Sequence, residues 1–175
     1  MRAHQSTAHV CSTAADRKTM GDATQTGDQR ADLIDVRTDW DGPVTVAYVD
    51  DSEDDQFLAS EALSATGRAH ELRTVSSAIE MWTMLEQRIE AGEELPDVLV
   101  VDLKMPQVDG HQLLGALVSD RTISEVPMVV LTTSADHRDI ERVEAAGPIR
   151  YLVKPSRFAE LVETFDLILD LGERR

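Results

Sequence analysis

The sequence predicts a three-layer α/β sandwich, in which a doubly wound five-stranded parallel sheet lies between two layers of helices. Two observations lead to this fold class. After Gly42 and Pro43, short aliphatic runs alternate with amphipathic stretches in five successive units, which is the pattern of a parallel sheet flanked by helices. The aliphatic runs carry few polar residues, as expected for strands that are buried on both faces.

The five strand candidates are short and mostly aliphatic, as is typical of buried strands. In chain order they lie at residues 44–49, 71–75, 98–101, 128–131 and 151–153. Each of them is followed by a segment long enough to form a helix, so the chain is expected to contain five βα units.

The helix candidates lie at residues 53–66, 77–91, 109–119, 136–146 and 157–171. The last helix carries one apolar stripe, which predicts packing against the core rather than a cofactor site. This stripe consists of Phe158, Leu161, Val162, Phe165, Ile168 and Leu169. In the second helix, the stripe expected to face the core consists of Ile79, Trp82, Leu85 and Ile89, with Met81 and Met84 flanking it.

Residues at the predicted helix ends agree with these boundaries. Ser52 precedes the first helix and Asp55 follows three residues later, which is a capping-box arrangement. Gly67 and Gly147 follow helix ends, where glycine is favoured, and Ser156 is placed to cap the last helix.

The chain divides into an N-terminal extension, residues 1–43, and a folded domain, residues 44–175. Up to about residue 40 the extension is rich in small and polar residues without an apolar period, so it is predicted to be disordered or weakly ordered. Its apolar residues near the domain could dock on it, although they follow no helical or alternating pattern. They are Leu33, Ile34, Val36 and Trp40.

Composition narrows the classes of function. The chain has 33 Asp and Glu against 17 Lys and Arg, a formal net charge of -16, which disfavours direct binding to nucleic acid or to an anionic membrane. A single cysteine, Cys11, excludes an internal disulfide. No apolar run approaches the ~20 residues of a membrane span, so we expect a cytoplasmic protein.

Polar residues follow the strand candidates at the ends where parallel sheets form their sites. They are Asp50 and Asp51 after the first strand, Asp102 after the third, Thr132 after the fourth, and Lys154 and Pro155 after the fifth. Three carboxylates, a hydroxyl and an amine are therefore expected at one edge of the sheet.

Clustered carboxylates repel one another unless a cation or proton neutralises them, and their oxygen atoms are ligands that suit Mg²⁺. Mg²⁺ held by Asp51 and Asp102 would neutralise charge during the transfer of a phosphoryl group to a carboxylate. Asp102 then becomes the acceptor. Lys154 can pair with the phosphoryl oxygens, and the hydroxyl of Thr132 can contact the remaining one.

Four strings, VAYVDDSEDD, VLVVDLKMPQVDG, PMVVLTTS and YLVKP, resemble in order and spacing the receiver domains of two-component response regulators. The resemblance covers residues 44–171 and implies a flavodoxin-like fold. It implies that Asp102 is phosphorylated, that Asp51 ligates Mg²⁺, and that Asp50 orients the metal, commonly through water. The backbone carbonyl of Lys104 is implied as a further ligand.

The same resemblance implies roles for residues near the fourth and fifth strands. Thr132 matches the switch hydroxyl, Lys154 the lysine of the site, and Tyr151 the aromatic residue that changes rotamer on activation. Pro155 matches the proline that follows a cis peptide bond. The strings VVLTTS, DDSEDD and RIEAGEELPD look most like the single-domain regulators associated with bacterial phytochrome histidine kinases.

The resemblance also implies how the protein works. A sensor histidine kinase, of the phytochrome type by resemblance to that subfamily, would dock near Phe57 and Leu58 and supply the phosphoryl group. The protein would catalyse its own phosphorylation and slow autodephosphorylation without being an enzyme in the ordinary sense. A change in the fourth helix, fifth strand and fifth helix would then carry the signal to a target protein or a second copy of the chain.

Other functions share part of this pattern. A phosphatase of the haloacid-dehalogenase type also has a nucleophilic aspartate and Mg²⁺, but it needs an acid where this chain has Lys104. A flavodoxin-like nucleotide binder needs a small-residue loop after the first strand, where Asp50 and Asp51 would repel phosphate. A receiver fold that acts as a phosphorylation-independent scaffold or as a phosphate sink remains the alternative.

Two groups of residues are interpreted as structural rather than functional. Asp54 and Asp55 lie in the first turn of a predicted helix, where the helix dipole favours carboxylates, so they are not taken as extra metal ligands. The five histidines include no pair at metal-ligand spacing within one element. A zinc site and a phosphotransfer histidine are therefore not expected.

Overall fold

The computed structural model describes residues 42–105 and 109–173. Five strands form one sheet in the order β2-β1-β3-β4-β5, and all neighbouring strands are parallel. The strands are β1 (Val44–Val49), β2 (His70–Val75), β3 (Val98–Val101), β4 (Met128–Thr132) and β5 (Arg150–Val153). The predicted fold class is confirmed.

Each strand is followed by a helix, and every predicted helix and strand ends within one residue of its expected boundary. The helices are α1 (Glu53–Thr66), α2 (Ala78–Ala91), α3 (Gly110–Ser119), α4 (His137–Ala146) and α5 (Phe158–Gly172). A short 3₁₀ turn at Ile123–Glu125 precedes β4 and was not expected from the sequence.

Two apolar clusters occupy the two faces of the sheet. On one face the sheet packs against α2, α3 and α4 through residues such as Leu85, Leu114 and Val143. On the other face it packs against α1 and α5 through residues such as Leu63 and Phe165. Successive side chains of a strand point to opposite faces, so every strand in the centre of the sheet contributes to both clusters.

The helix caps agree with the sequence at three positions of four. The Ser52 hydroxyl accepts the amide N–H of Asp55 at 3.2 Å, and Gly67 takes the left-handed conformation, with φ 71°. Gly147 directly follows α4. Ser156 does not cap α5, because the helix begins one residue later than expected and its N-cap residue is Arg157, which makes no side-chain cap bond.

Two apolar stripes differ from expectation. In α2, Met81 is fully buried together with Leu85, whereas Ile79 is 62% exposed, so the methionine rather than the isoleucine faces the sheet. In α5, Phe165 is fully buried as predicted, but Phe158 is 47% exposed at the first turn. Both exposed residues, Ile79 and Phe158, lie in the first turn of their helices.

The expected N-terminal extension, residues 1–43, lies outside the described residues except for its last two. The proposed division of the chain into an extension and a domain therefore stays a prediction. Within the part of the chain that the structure describes, none of the helices combines the length and hydrophobicity that crossing a lipid bilayer requires.

Candidate functional site

Three carboxylates lie together where the strand order reverses. Asp50 and Asp51 follow β1, Asp102 follows the neighbouring strand β3, and one ligand oxygen from each lies within 4.8 Å of the others. Asp50 is fully buried and Asp102 is 5% exposed, whereas Asp51 is open to solvent. Two buried carboxylates therefore meet an exposed one at the mouth of the site.

The sheet itself brings these residues together. Val49 and Val101 are register partners at the ends of β1 and β3, so the next residue of each strand is an aspartate at the same edge. The amide N–H of Asp102 donates to the carbonyl of Val49 at 3.0 Å. The amide of Asp50 is held in the same way by the carbonyl of Val75, at 3.1 Å.

Lys154 reaches the carboxylates from the end of β5. Its amide N–H donates to the carbonyl of Thr132 at 2.7 Å, which fixes the chain beside β4. Its ammonium group donates to Asp50 Oδ2 and, at 2.7 Å, to Asp55 Oδ2, and it lies 3.4 Å from Asp102 Oδ2. The ammonium group thus bonds to Asp50 and Asp55 more closely than to Asp102.

The ammonium group of Lys154 remains charged in this setting. Burial lowers its pKa, but the hydrogen bonds that it donates to Asp50 and Asp55 and the charge of Asp102 outweigh burial, and the pKa is raised above its usual value. The ammonium group therefore offsets part of the negative charge of the carboxylates.

Asp50 is held by several donors. Its Oδ1 accepts the amide N–H of Ser52 at 2.9 Å, and its Oδ2 accepts the hydroxyl of Tyr48 as well as the ammonium group of Lys154. The side chain of Gln56 donates to its backbone carbonyl at 2.6 Å. Burial, followed by the charge of Asp50, raises the pKa of Tyr48 well above its usual range, so this hydroxyl keeps its proton and acts as a donor.

Asp102 is less engaged than Asp50 among the described residues. Its Oδ1 accepts the amide N–H of Lys104 at 3.2 Å, and its Oδ2 lies at the longer distance from Lys154 given above. Of the three clustered carboxylates, Asp102 is both buried and incompletely bonded, which leaves oxygen lone pairs free to react.

Gly110 sets the position of the loop that bears Asp102. A Cβ atom at Gly110 would lie 2.3 Å from the carbonyl oxygen of Asp102 and 2.6 Å from Cα of Leu103. The amide N–H of Gly110 donates to the carbonyl of Leu103 at 3.3 Å. The first turn of α3 can therefore pack on this backbone only because the residue has no side chain.

Thr132 and Tyr151 stand beside the carboxylates rather than among them. Thr132 is fully buried at the end of β4, and its hydroxyl accepts the amide N–H of Ser134 at 3.3 Å. The hydroxyl of Tyr151 donates to the carbonyl of Ser134 at 2.8 Å, and burial raises the pKa of Tyr151. Both predicted switch residues thus contact the loop that follows β4.

A hydrogen-bond chain extends from this loop to α3. The Ser134 hydroxyl donates to Asp139 Oδ2 at 2.6 Å, and Asp139 Oδ1 lies 3.1 Å from Nε2 of His111. The hydrogen bonds from Ser134 and His111 lower the pKa of Asp139. No local sequence pattern predicts these hydrogen bonds, since Ser134, Asp139 and His111 lie in the loop after β4, in α4 and in α3.

The structure brings together Asp50, Asp51, Asp102 and Lys154, as the strand-end pattern predicts, and places Thr132 on the adjoining strand. Sequence reasoning missed contacts of two further residues. Asp55 was interpreted only as a first-turn helix residue, yet its carboxylate bonds to Lys154. Tyr48 was counted only as a strand residue, although its spacing of two from Asp50 places both on one face of the strand.

Two implied features stay predictions. One is the backbone carbonyl of Lys104 as a metal ligand, and the other is the cis peptide bond before Pro155. The exposed Asp54 lies in the first turn of α1, and the interpretation of it as a helix residue stands.

The clustered residues fit a hard divalent cation. Within the described residues, Asp50, Asp51 and Asp102 form a group that could hold a metal ion. All three offer carboxylate oxygens, and the exposed position of Asp51 leaves room for the water molecules that Mg²⁺ usually retains. The ammonium group of Lys154 compensates only part of three negative charges, so a cation would relieve the remaining repulsion.

Comparison with known proteins gives one family. Residues 46–166 match the family model described as "Response regulator receiver domain". The probable methanogenesis regulatory protein FilR2 of Methanothrix harundinacea (strain 6Ac) is 33% identical over 129 residues, which are 72% of this chain and 81% of that protein.

Two response regulators of known structure are also similar. The phosphorylated cyanobacterial phytochrome response regulator RcpA superposes with a TM-score of 0.67 and 28% identity, over 75% of this chain and 94% of that one. The response regulator Rcp1 of Synechocystis, in its Mn²⁺-bound form, superposes with a TM-score of 0.63 and 26% identity, over 72% and 91% of the two chains.

Proposed function

Because this chain belongs to the family of response regulator receiver domains, which act in two-component systems, we propose that it accepts a phosphoryl group on Asp102 from a histidine kinase. The observation that carries the proposal is the arrangement at the end of β3. Asp102 is buried, lies within 4.8 Å of two further carboxylates, and has the ammonium group of Lys154 at 3.4 Å.

In the proposed reaction, one carboxylate oxygen of Asp102 forms a bond to the phosphorus atom of the donor. The bond from phosphorus to the imidazole nitrogen of the kinase phosphohistidine breaks, and its electron pair stays on the imidazole, which takes up a proton. The product is an acyl phosphate on Asp102. The same displacement on a small acyl phosphate would release a carboxylate instead.

Mg²⁺ is the cofactor that we propose, held by Asp51 and Asp102, with Asp50 and the carbonyl of Lys104 as further contacts. When bound, it would neutralise negative charge on the phosphoryl oxygens. The carboxylate cluster supports this assignment, and a similar regulator, Rcp1, has been crystallised with Mn²⁺.

Lys154 and Thr132 would contact the transferred group. Lys154 keeps its charge at neutral pH because its pKa is raised, so it can pair with a phosphoryl oxygen on Asp102. The hydroxyl of Thr132 would donate to another phosphoryl oxygen while it still accepts the amide N–H of Ser134, which would draw the loop after β4 toward the site. Tyr151 bonds to that loop, so its proposed change of rotamer would carry the shift to β5 and its neighbouring helices.

Partners are proposed from the exposed surface and from the family. Phe57 and Leu58 on α1 are 63% and 41% exposed, and a sensor histidine kinase would dock there. The similarity to a cyanobacterial phytochrome regulator supports a phytochrome-type kinase. The output would be a target protein or a second copy of this chain. Slow autodephosphorylation and a cytoplasmic location are further parts of the proposal.

The test is to incubate the full chain with Mg²⁺ and acetyl phosphate and to measure the intact mass. We expect one added phosphoryl group in the wild type and none in Asp102→Asn or in the presence of a chelator. Asp54→Asn is the matched control. Because Asp54 is exposed on α1 outside the cluster, this variant should be phosphorylated on Asp102 as the wild type is.

Two results would contradict the proposal. An adduct that persists in Asp102→Asn would place the phosphoryl group elsewhere. A wild-type chain that remains unmodified by acetyl phosphate and by every histidine kinase tested would favour the phosphorylation-independent scaffold. If phosphorylation occurs but changes no partner binding, the role is that of a phosphate sink.

A further inference from the structure

Tyr48 lies in the centre of the sheet and makes a polar contact with the site. It is only 1% exposed, on the face of β1 that packs against α1 and α5. Its ring meets Phe165 edge-on, with centroids 6.3 Å apart and an interplanar angle of 77°. Its hydroxyl donates to Oδ2 of Asp50, the same oxygen that accepts the ammonium group of Lys154.

In the proposed reaction, Lys154 would shift from Asp50 toward Asp102. Its ammonium group bonds to Asp50 and, at 2.7 Å, to Asp55, while Asp102 lies at 3.4 Å. A phosphoryl group on Asp102 would add negative charge there and draw the ammonium group away from Asp50. The Oδ2 atom of Asp50 would then lose a charged donor.

The loss would be costly without a second donor. Asp50 is fully buried, and a buried carboxylate oxygen without a hydrogen bond pays the penalty of desolvation. The flexible chain of Lys154 can move, but the ring of Tyr48 is enclosed by the core and fixed on a central strand. Its hydroxyl therefore stays on Oδ2 whether Lys154 is present or not.

We propose that Tyr48 is a positioning residue of this site, whose hydroxyl holds the Asp50 carboxylate while Lys154 moves to the phosphoryl group on Asp102. The inference rests on the proposed function. Tyr48 would make no contact with the transferred group, since its hydroxyl acts only through Asp50. Tyr48 thereby makes the phosphorylated arrangement less costly without taking part in the chemistry.

The first test is the rate of phosphorylation of Tyr48→Phe by acetyl phosphate at saturating Mg²⁺. This substitution keeps the ring against Phe165 and removes only the hydroxyl. We expect the rate to fall roughly tenfold, as for the loss of one hydrogen bond to a charged group. The matched control is Phe165→Leu, which loosens the packing around the same ring but keeps the hydroxyl, and which should retain most of the rate per folded molecule.

The second test is spectroscopic and does not depend on turnover. The chain has two tyrosines, so a sample labelled with ¹³C at Cζ of tyrosine gives two signals, and Tyr151→Phe assigns them. Beryllofluoride with Mg²⁺ mimics the phosphoryl group. We expect it to shift the Cζ signal of Tyr48, because the hydroxyl bonds more strongly to Oδ2 once the ammonium group leaves.

The outcomes separate this inference from the function on which it rests. A wild-type chain that takes up no phosphoryl group overturns both. If the wild type is phosphorylated, and Tyr48→Phe reacts at the same rate with the Cζ signal of Tyr48 unmoved, only the role of Tyr48 is overturned. If Phe165→Leu slows the reaction as much as Tyr48→Phe, the effect comes from packing and the positioning role is again wrong.

Discussion

Asp50 and Asp102 are the same residue type, but the fold gives their carboxylates different surroundings. The carboxylate of Asp50 accepts a hydroxyl, an ammonium group and a backbone amide. Asp102 accepts one amide at 3.2 Å and has the ammonium group of Lys154 at 3.4 Å. A carboxylate whose lone pairs are occupied is a poorer nucleophile, so the hydrogen bonds favour Asp102 as the acceptor and Asp50 as a fixed support.

Gly110 supports the reactive carboxylate through the backbone, and its substitution should reveal this. Gly110→Ala places a Cβ atom 2.3 Å from the carbonyl oxygen of Asp102, and neither backbone segment can yield without moving the site. We expect the free energy of unfolding to fall by about 1–3 kcal/mol, measured by urea denaturation.

Gly115→Ala is the matched control for this prediction. It lies in the same helix, and its Cβ would meet no atom within 4 Å, so the substitution should stabilise the helix by up to about 1 kcal/mol. If Gly110→Ala proved as stable as Gly115→Ala, the close approach of α3 to the Asp102 backbone would be wrong.

The sequence alone predicted the clustered residues of the site, but it did not predict which other side chains bond to them. Asp50, Asp51, Asp102 and Lys154 each follow an aliphatic strand, and parallel strands end at one edge of a sheet. That Asp55 bonds to Lys154 depends on the distance between the first turn of α1 and the end of β5. Local patterns carry no information on that distance.

The apolar stripe of α2 illustrates the same limit for a whole element. Periodicity identified an amphipathic helix and its boundaries to within one residue. It did not distinguish a stripe that includes Ile79 from one that includes Met81, because both stripes share Leu85. Which of them faces the sheet depends on how the helix lies over β1 and β2, and Met81 belongs to the apolar cluster on that face.

The first turn of α4 is tied to α3 and to the loop after β4 by one carboxylate. Asp139 accepts the hydroxyl of Ser134 at 2.6 Å and lies 3.1 Å from His111. Asp139→Asn should lower the free energy of unfolding at pH 7 by about 0.5–1 kcal/mol, since it weakens two hydrogen bonds to a charged group. The measurement is urea denaturation of variant and wild type over a range of pH.

The sign of the pH dependence follows from the lowered pKa of Asp139. A carboxyl group whose pKa is lower in the folded state stabilises the fold above its ordinary pKa of 3.8, and loses that contribution as the pH falls through the lowered value. The difference between wild type and Asp139→Asn should therefore shrink in acid. Glu141→Gln, which changes an exposed residue of the same helix, should show no such pH-dependent difference from the wild type. If the difference in the free energy of unfolding between the wild type and Asp139→Asn stayed constant with pH, the predicted contribution of the Asp139 carboxylate would be wrong.

At the scale of the whole molecule, charge opposes folding. The formal net charge is -16, and self-repulsion of this kind destabilises a compact state. Some of it is locally compensated, as where Arg68 pairs with Asp166, Asp170 and Glu173 at the end of α5. Among the described residues, the cluster of Asp50, Asp51 and Asp102 is paired with one positive charge, the ammonium group of Lys154.

Mg²⁺ should therefore stabilise the folded chain, and Asp51→Asn should separate binding from simple screening. At a concentration one hundred times its dissociation constant, a ligand that binds only the folded state adds about 2.7 kcal/mol to the free energy of unfolding. We expect the wild type to gain close to this amount over NaCl of equal ionic strength. Asp54→Asn should gain as much, because Asp54 lies outside the cluster.

The stability of Asp51→Asn relative to the wild type should change in opposite directions with and without Mg²⁺. Without Mg²⁺ it should be as stable as the wild type or more stable, because an exposed like charge is removed from beside two buried carboxylates. With Mg²⁺ it should gain less than the wild type, because one ligand is lost. A wild-type gain that NaCl reproduces in full would mean that Mg²⁺ only screens the net charge, and an equal gain in Asp51→Asn would place the ion elsewhere.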